Sequence, residues 1–456
     1  MKRIKRAVCL LLAAWLLTAG FALPAAALDT PSYTLSKDTV ITAQAAMVVY
    51  LGASPEKDAV VYAKNVDQPL APAGMNRLMV GYTAMKLAEE KKLDLDTATG
   101  TYTEAGFDAI AGTGIPTAGM MVGDVWTLRD LVCVSAIQSA GDVVETLAIA
   151  LAGSEAAFVD KMNALAADDL GCENTRFTNV TGLDDRDQHS TAADTYRIMR
   201  GVMKYPDLQQ MLGLSYCEIT PKKGAAVTLP ASTNLLRVST DSYYAPTLFG
   251  RSGWSDLTGP GVAAVARADG YDYMVVVMGC DGQDGAAHFA DAKALFRWAF
   301  RDLTLATLRT KNDPVTSVPV RLCWDDDRVQ LVPSADVNAV IPESLDTGAL
   351  VVKAVDLPDT VLAPVEKGQV LGKATFSTPD GQVIARCDLV ADRALPRSQW
   401  LFVWYGVGRF FGSGWFWGIF LLLIAAIGGY ILLTIHHNRT RRRPPAKKTN
   451  RSSGNR

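Results

Sequence analysis

The chain has 456 residues, 49% of them hydrophobic and 20% charged, with a formal net charge of −2. That length leaves room for two or three domains, and the composition is that of a globular protein carrying apolar segments, not of a fibrous or disordered chain. The charge is uneven: Lys2, Arg3, Lys5 and Arg6 contribute +4, the tail from Arg439 contributes +8, and residues 28–438 are left at −14, which argues against nucleic acid as a partner.

Residues 1–27 read as a secretory signal. A basic start is followed by an apolar run from Ala7 to Leu23 and by Ala25-Ala26-Ala27, which places cleavage before Leu28; an uncleaved anchor is the alternative. Ala46–Leu51 and Ala59–Ala63 are short apolar strands around the turn Ser54–Asp58. The chain then turns into Pro72-Ala73-Gly74-Met75-Asn76-Arg77-Leu78-Met79, which opens a helix running to about Lys91 with Leu78, Tyr82 and Met85 on its apolar face. Residues 94–121 are rich in Gly and Thr and weakly periodic, so loops and short strands are expected.

Val125–Ala152 reads as helix with a break near Ser139, since Gly141 weakens it there. Helices follow at Glu155–Leu170, closed by Gly171, and at Thr191–Met203, capped by Thr191 or Ser190. Leu248–Gly253, Gly261–Ala268 and Tyr271–Gly279 are strands, the last two joined by the hairpin signal Asp269-Gly270. His288–Leu303 is an amphipathic helix.

Beyond Leu303 the pattern changes. Residues 305–395 hold short strands at Val315–Pro319, Val329–Val332, Ala349–Val355, Gly368–Ala374 and Val383–Val390, with no helix of useful length. Residues 396–413 are an aromatic juxtamembrane segment. Residues 414–435 are apolar and long enough as a helix, roughly 32 Å over Trp415–Ile435, to cross a bilayer. The basic tail 436–456 then predicts a cytoplasmic C-terminus and an extracytoplasmic body at the cell membrane. The parse is a signal at 1–27, an α/β domain at 28–304, an all-β domain at 305–395, the collar, the span and the tail.

Cys9 lies in the signal. The other six cysteines (Cys133, Cys172, Cys217, Cys280, Cys323, Cys387) are widely spaced, with no Cys-x-x-Cys and no histidine beside them, so neither a metal site nor a cofactor is expected. Exported chains tolerate disulfides, but a chain of this size does not need them. Buried free thiols are expected, with Cys323–Cys387 as the pair to consider.

Several ordered pieces carry a resemblance. They are Phe158-Val159-Asp160-Lys161-Met162-Asn163, Leu170-Gly171, Asn174-Thr175-Arg176-Phe177, Gly182-Leu183, His189-Ser190-Thr191-Ala192-Ala193-Asp194, Asn234-Leu235-Leu236, and Ala363-Pro364-Val365-Glu366-Lys367-Gly368-Gln369-Val370-Leu371-Gly372. In order and spacing the chain resembles the serine D-alanyl-D-alanine carboxypeptidases, the low-molecular-mass penicillin-binding proteins, over roughly residues 40–395. The resemblance implies an α/β penicillin-binding or β-lactamase-like transpeptidase domain, an antiparallel sheet with a helical subdomain. A small all-β domain and a C-terminal transmembrane helix follow it.

It also implies three motifs, and the chain departs from all of them. Where the family has Ser-x-x-Lys, nucleophile and base one helical turn apart, stand Gly74 and Arg77. Glycine has no nucleophile, and a guanidinium does not give up its proton to act as base. The Ser-x-Asn position reads Ser139-Ala140-Gly141, keeping the hydroxyl and losing the amide. The Lys-Thr-Gly strand reads Arg251-Ser252-Gly253, a milder change, since arginine can hold a carboxylate bidentately.

Gly74, Arg77, Ser139 and Gly141 are thus motif positions expected to be without catalytic function. Ser139, Arg251, Ser252 and Gly253 are candidates for substrate binding, with a strand-end charge and a solvated hydroxyl as the plain alternative for Arg251 and Ser252. Thr83 and Lys86 offer a second Thr-x-x-Lys, but only if the helix shifts by nine residues, so they read as ordinary helix positions with Lys86 solvated. His189 reads as structural at a helix start. The acidic groups Asp184, Asp185, Asp187 and Asp325-Asp326-Asp327 read as solvated turns.

The function this implies is a membrane-anchored, non-catalytic relative that binds the peptidoglycan stem peptide or docks cell-wall enzymes. The alternatives are an active hydrolase with an unrecognised nucleophile and a protein-interaction module with a closed cleft.

Overall fold

The computed structural model describes residues 33–219, 226–282 and 285–441; the expected secretory signal (1–27) and most of the basic tail lie outside them. The chain forms two compact units. Of the described residues, one takes in 33–308, Asn338–Val351 and Phe376–Ala385, the other Arg309–Val337, Val352–Thr375 and 386–441.

In chain order the first unit begins with β1 (Ala45–Tyr50) and β2 (Ala59–Lys64), then α1 (Arg77–Glu90) entered through a 3₁₀ turn at Ala73–Asn76. There follow β3 (Thr99–Thr101), α2 (Glu104–Ile110), β4 (Val125–Thr127), α3 (Leu128–Ile137), α4 (Gly141–Ala152), α5 (Glu155–Asp168), α6 (Ala192–Val202) and α7 (Pro206–Leu212). Strands β5 (Tyr216–Ile219), β6 (Val227–Pro230), β7 (Thr247–Gly253), β8 (Gly261–Ala268) and β9 (Tyr271–Met278) lead to α8 (Ala287–Asp302).

The core is a five-stranded antiparallel sheet in the order β2-β1-β9-β8-β7. Alternation along its strands divides the apolar side chains between two cores, as the two-residue period of a strand requires. Met47, Val49, Ala263, Val265, Met274 and Val276 face α1 and the helical subdomain, whereas Val48, Val262, Ala264, Val275 and Val277 face Phe289, Leu295 and Phe296 of α8. The β8–β9 turn carries Asp269 and Gly270 at φ 51° and 83°, the left-handed pair that the Asp-Gly signal predicts. One network ties α6 to the β1–β2 turn: the buried Asp58 carboxylate accepts from Gly52 N at 2.8 Å, Tyr196 Oη at 2.6 Å and Arg200 Nε at 2.6 Å.

Several details differ from the sequence expectation. Within 94–121, taken as loop and strand, Glu104–Ile110 is a helix, capped by Thr103 Oγ1 accepting from Gly106 N. Its seven residues are too few to show a period. Val125–Thr127 is strand, and the helix starts at Leu128, three residues later than expected, capped by Thr127. The break at Ser139 and the Thr191 cap appear as expected. Helix α1 is buried on nearly every side instead of along one stripe, because helices surround it. Thr83 is accordingly fully buried, and Lys86 is ion-paired with Asp169 at 3.0 Å instead of solvated.

Strands β10 (Leu303–Arg309) and β13 (Val337–Pro342) pair as a two-stranded sheet. Between and after them come β11 (Thr316–Arg321), β12 (Arg328–Pro333), β14 (Val351–Val355), β15 (Val361–Leu362), β16 (Val370–Ser377) and β17 (Val383–Ala391). These form a six-stranded sheet in the order β14-β16-β17-β12-β11-β15. Helices α9 (Gln399–Phe411) and α10 (Gly414–Arg441) close the described chain; Gly414–Arg439 is long and apolar enough to cross a membrane.

Candidate functional site

The site forms where the entry to α1, the α3–α4 break and the end of β7 meet. The turn that presents Gly74 is made by Ala73 at φ 48°, a left-handed conformation that costs a residue with a Cβ about 1 kcal/mol or more. A Cβ built on Gly74 would lie 3.1 Å from Ser252 O, 3.3 Å from Gly253 Cα and 3.3 Å from Ser139 Oγ. The three motif positions read from the sequence therefore converge on one point. Gly253 is held to glycine by that convergence, since its own Cβ would lie 2.5 Å from Gly74 N and 2.8 Å from Met75 N. Gly253→Ala is expected to push β7 off the start of α1 and to destabilise the protein by about 1–3 kcal/mol, read as a lower thermal midpoint.

Arg251 does not project into solvent. It is completely buried, with Nε donating to Gly74 O at 3.0 Å, Nη2 to Ser139 Oγ at 2.9 Å and Nη1 to Ser232 Oγ. Burial, reinforced by repulsion from Arg77, lowers its pKa to about 9, so it is charged at neutral pH. Ser252 is buried too: its amide donates to Thr233 Oγ1 at 3.0 Å and its hydroxyl to Ser232 O at 3.1 Å. The plain alternative for this pair, an exposed strand-end charge and a solvated hydroxyl, is thus set aside. The strand closes on its own neighbours, and Arg251 laces α1, the Ser139 turn and the Ser232 segment together.

Arg77 is buried close enough to Arg251 for the two charges to repel. Its Nη1 donates to Val180 O and, at 3.1 Å, to Asn76 Oδ1, while Nε and Nη2 are buried without protein partners among the described residues. Burial lowers its pKa to about 9, opposed by Glu145. Glu145 is itself buried on α4. Burial first and the Glu155 carboxyl second raise it to about 8, against the opposing pull of Arg77, so at neutral pH it is largely protonated. Glu155 Oε1 accepts from Val180 N at 3.1 Å, which makes Val180 the bridge between Arg77 and the acid pair.

Gly141 has a packing reason of its own. A Cβ there would meet Ile115 Cγ2 at 2.7 Å and Ile110 Cγ2 at 3.2 Å. The segment covering it is pinned, with Gly141 N donating to Pro116 O at 2.8 Å and Asp142 accepting from Ala118 N and Met120 N, each at 2.9 Å. The space beside Gly141 is thus filled by Ile115.

The sequence reading missed Ser232, Thr233, Ile115, Val180, Glu145 and Glu155. Only Glu145 left a signal, as a lone acid among Val143, Val144, Leu147 and Ala148. Of the positions set aside, His189 Nδ1 contacts Asp187 O at 3.0 Å, and Asp184, exposed as expected together with Asp185 and Asp187, accepts from Asp256 N at 2.7 Å and Leu257 N at 3.3 Å.

Two family models match the chain: D-alanyl-D-alanine carboxypeptidase over residues 32–282, and the C-terminal domain of penicillin-binding protein 5 over residues 304–397. The chain is 24% identical over 343 residues to D-alanyl-D-alanine carboxypeptidase DacF of Bacillus subtilis, covering 75% of this chain and 84% of that one. It is 27% identical over 361 residues to DacA of Escherichia coli, covering 77% and 81%. Among solved structures, penicillin-binding protein 5 of Haemophilus influenzae superposes with a TM-score of 0.61 at 23% identity, over 78% of this chain and 98% of that one, a likeness of fold.

Proposed function

The chain belongs to the D-alanyl-D-alanine carboxypeptidase family, and on that premise we propose that it is a non-catalytic member. It is held at the outer face of the cell membrane, where it binds the peptidoglycan stem peptide or docks cell-wall enzymes without cleaving.

The observation that carries this reading is Gly74. Acyl transfer in the family needs a hydroxyl at this position and a neutral base one turn later. The hydroxyls around Gly74 are committed elsewhere: Ser139 and Ser232 accept from the Arg251 guanidinium, and Ser252 donates to Ser232 O. The charged groups beside them are Arg77 and Arg251, both protonated at neutral pH and unable to take a serine proton. For the membrane placement, support comes from the apolar helix Gly414–Arg439, none of it buried in the protein, and from the basic residues that follow it in sequence.

A second reading, the interaction module with a shut cleft, draws on Arg251. Its guanidinium meets a substrate carboxylate only by giving up the bonds to Gly74, Ser139 and Ser232. Titration of the full chain in detergent with an acyl-D-Ala-D-Ala peptide separates the two, since saturable binding supports the stem-peptide reading and no binding the shut cleft. Loss of chemistry is tested by intact mass of the same preparation after incubation with benzylpenicillin. No added mass on folded protein is expected. A stoichiometric adduct would sink the non-catalytic reading, and the labelled peptide would name the nucleophile.

A further inference from the structure

Cys133 on α3 and Cys217 on β5 are both buried, and their sulfurs stand 2.9 Å apart. The two side chains therefore point at one another across the contact between the helix and the β5–β6 hairpin. A disulfide needs about 2.05 Å, so a sub-ångström closure of the two sulfurs suffices. The other buried thiols are placed differently: Cys172 Sγ, for instance, faces the Asp194 carbonyl at 3.8 Å. The pair considered from the sequence, Cys323 and Cys387, is half-exposed and, like Cys133 and Cys217, unbonded in the structure.

We propose that Cys133 and Cys217 are joined by a disulfide in the native protein, clamping α3 to the β5–β6 hairpin directly upstream of the candidate site. The inference rests on the extracytoplasmic placement proposed above, because exported proteins meet disulfide oxidants that cytosolic ones do not. The clamp has a defined job. Helix α3 ends at Ile137 and runs into Ser139, and β6 ends at Pro230 and runs into Ser232; these serines are the two hydroxyl acceptors of Arg251. Hydrogen bonds already tie the two ends, Gln138 Nε2 to Pro230 O and Ser232 N to Ile137 O, each at 2.8 Å. A covalent bond beside these ties, with Cys217 opposite Leu229 in the β5–β6 register and Cys133 in the last turns of α3, fixes the spacing of Ser139 and Ser232. It also closes a loop between residues 84 apart in sequence, and long loops are where a cross-link most restricts the unfolded chain.

The chemistry balances with one oxidant, a protein or small-molecule disulfide. The Cys217 thiolate attacks a sulfur of the oxidant, expelling a thiolate and forming a mixed disulfide. Cys133, losing its proton, then attacks Cys217 Sγ and expels the second thiol. Two thiols become one disulfide, the oxidant is reduced to two thiols, and the two cysteine protons end on those leaving thiols. The hydrogen bond donated by Cys133 lowers the Cys217 pKa and raises its own, which assigns the first attack to Cys217.

The test is peptide mapping of the full chain in acid-quenched, alkylated membranes of its own cells. A peptide linking Cys133 to Cys217, two hydrogens lighter than the separate thiols and lost on reduction, is expected. Recovery of both cysteines alkylated without prior reduction overturns the proposal. Purified chain treated with oxidised glutathione tells why: a bond that forms there but not in membranes indicts the extracytoplasmic placement, and a bond that forms in neither indicts the geometry. Reductant should lower the thermal midpoint of the parent by several degrees and leave Cys133→Ser unmoved. An equal response of the two also overturns it.

Discussion

A variant carrying Gly74→Ser, Arg77→Lys, Gly141→Asn and Ile115→Ala is expected to take up one benzylpenicillin per chain, where the parent takes up none. The first three changes restore the residue types that the family's chemistry uses. Space at Gly74 is adequate: the nearest atoms to an added Cβ stand 3.1–3.3 Å away, so a serine fits with a shift of a few tenths of an ångström and lands beside Ser139 and Gly253. Space at Gly141 is not, because Ile115 Cγ2 stands 2.7 Å from the new Cβ. Without Ile115→Ala the asparagine overpacks the α3–α4 break and costs about 1–3 kcal/mol. The expected gain is large, since loss of a serine nucleophile in another serine enzyme cost about a million-fold in kcat. Intact mass and a hydrolysis assay on an acyl-D-Ala-D-Ala peptide read the outcome. A folded quadruple variant that neither labels nor cleaves shows that the cleft has been lost along with its residues.

The second large effect is on stability against pH. The Glu145 carboxyl titrates near the ordinary 4.5 when unfolded and at about 8 in the folded protein, chiefly because it is buried. Between those values the native state holds a proton that the unfolded chain has released, so stability falls as pH rises. The contribution is complete below about 4.5 and gone above about 8. At 1.36 kcal/mol per pKa unit it amounts to about 5 kcal/mol. Glu145→Gln removes this titration while keeping the shape of the side chain. The variant is expected to match the parent near pH 5 and to exceed it at pH 8. Thermal midpoints of the two proteins at pH 5, 6.5 and 8 read the difference directly, and parallel profiles would remove Glu145 as the group responsible.

The local pattern of the chain carried a great deal by itself. The apolar strand runs at 45–50, 261–268 and 271–278, the Asp269-Gly270 turn, the break after Ser139, the Thr191 cap and the long apolar C-terminal segment are all decided by near neighbours, through short apolar runs, left-handed turn chemistry and capping. The motif resemblance added which three segments meet, and they do meet at Gly74. Tertiary structure alone decided what those segments do when they meet. That Arg251 is sealed inside depends on Ser139 and Ser232, 112 and 19 residues away. That the space beside Gly141 is filled depends on Ile115, and that Arg77 has a carbonyl to donate to depends on Val180. A buried charge finds its partners wherever the packed chain places them, and sequence spacing holds no trace of a contact made across a hundred residues.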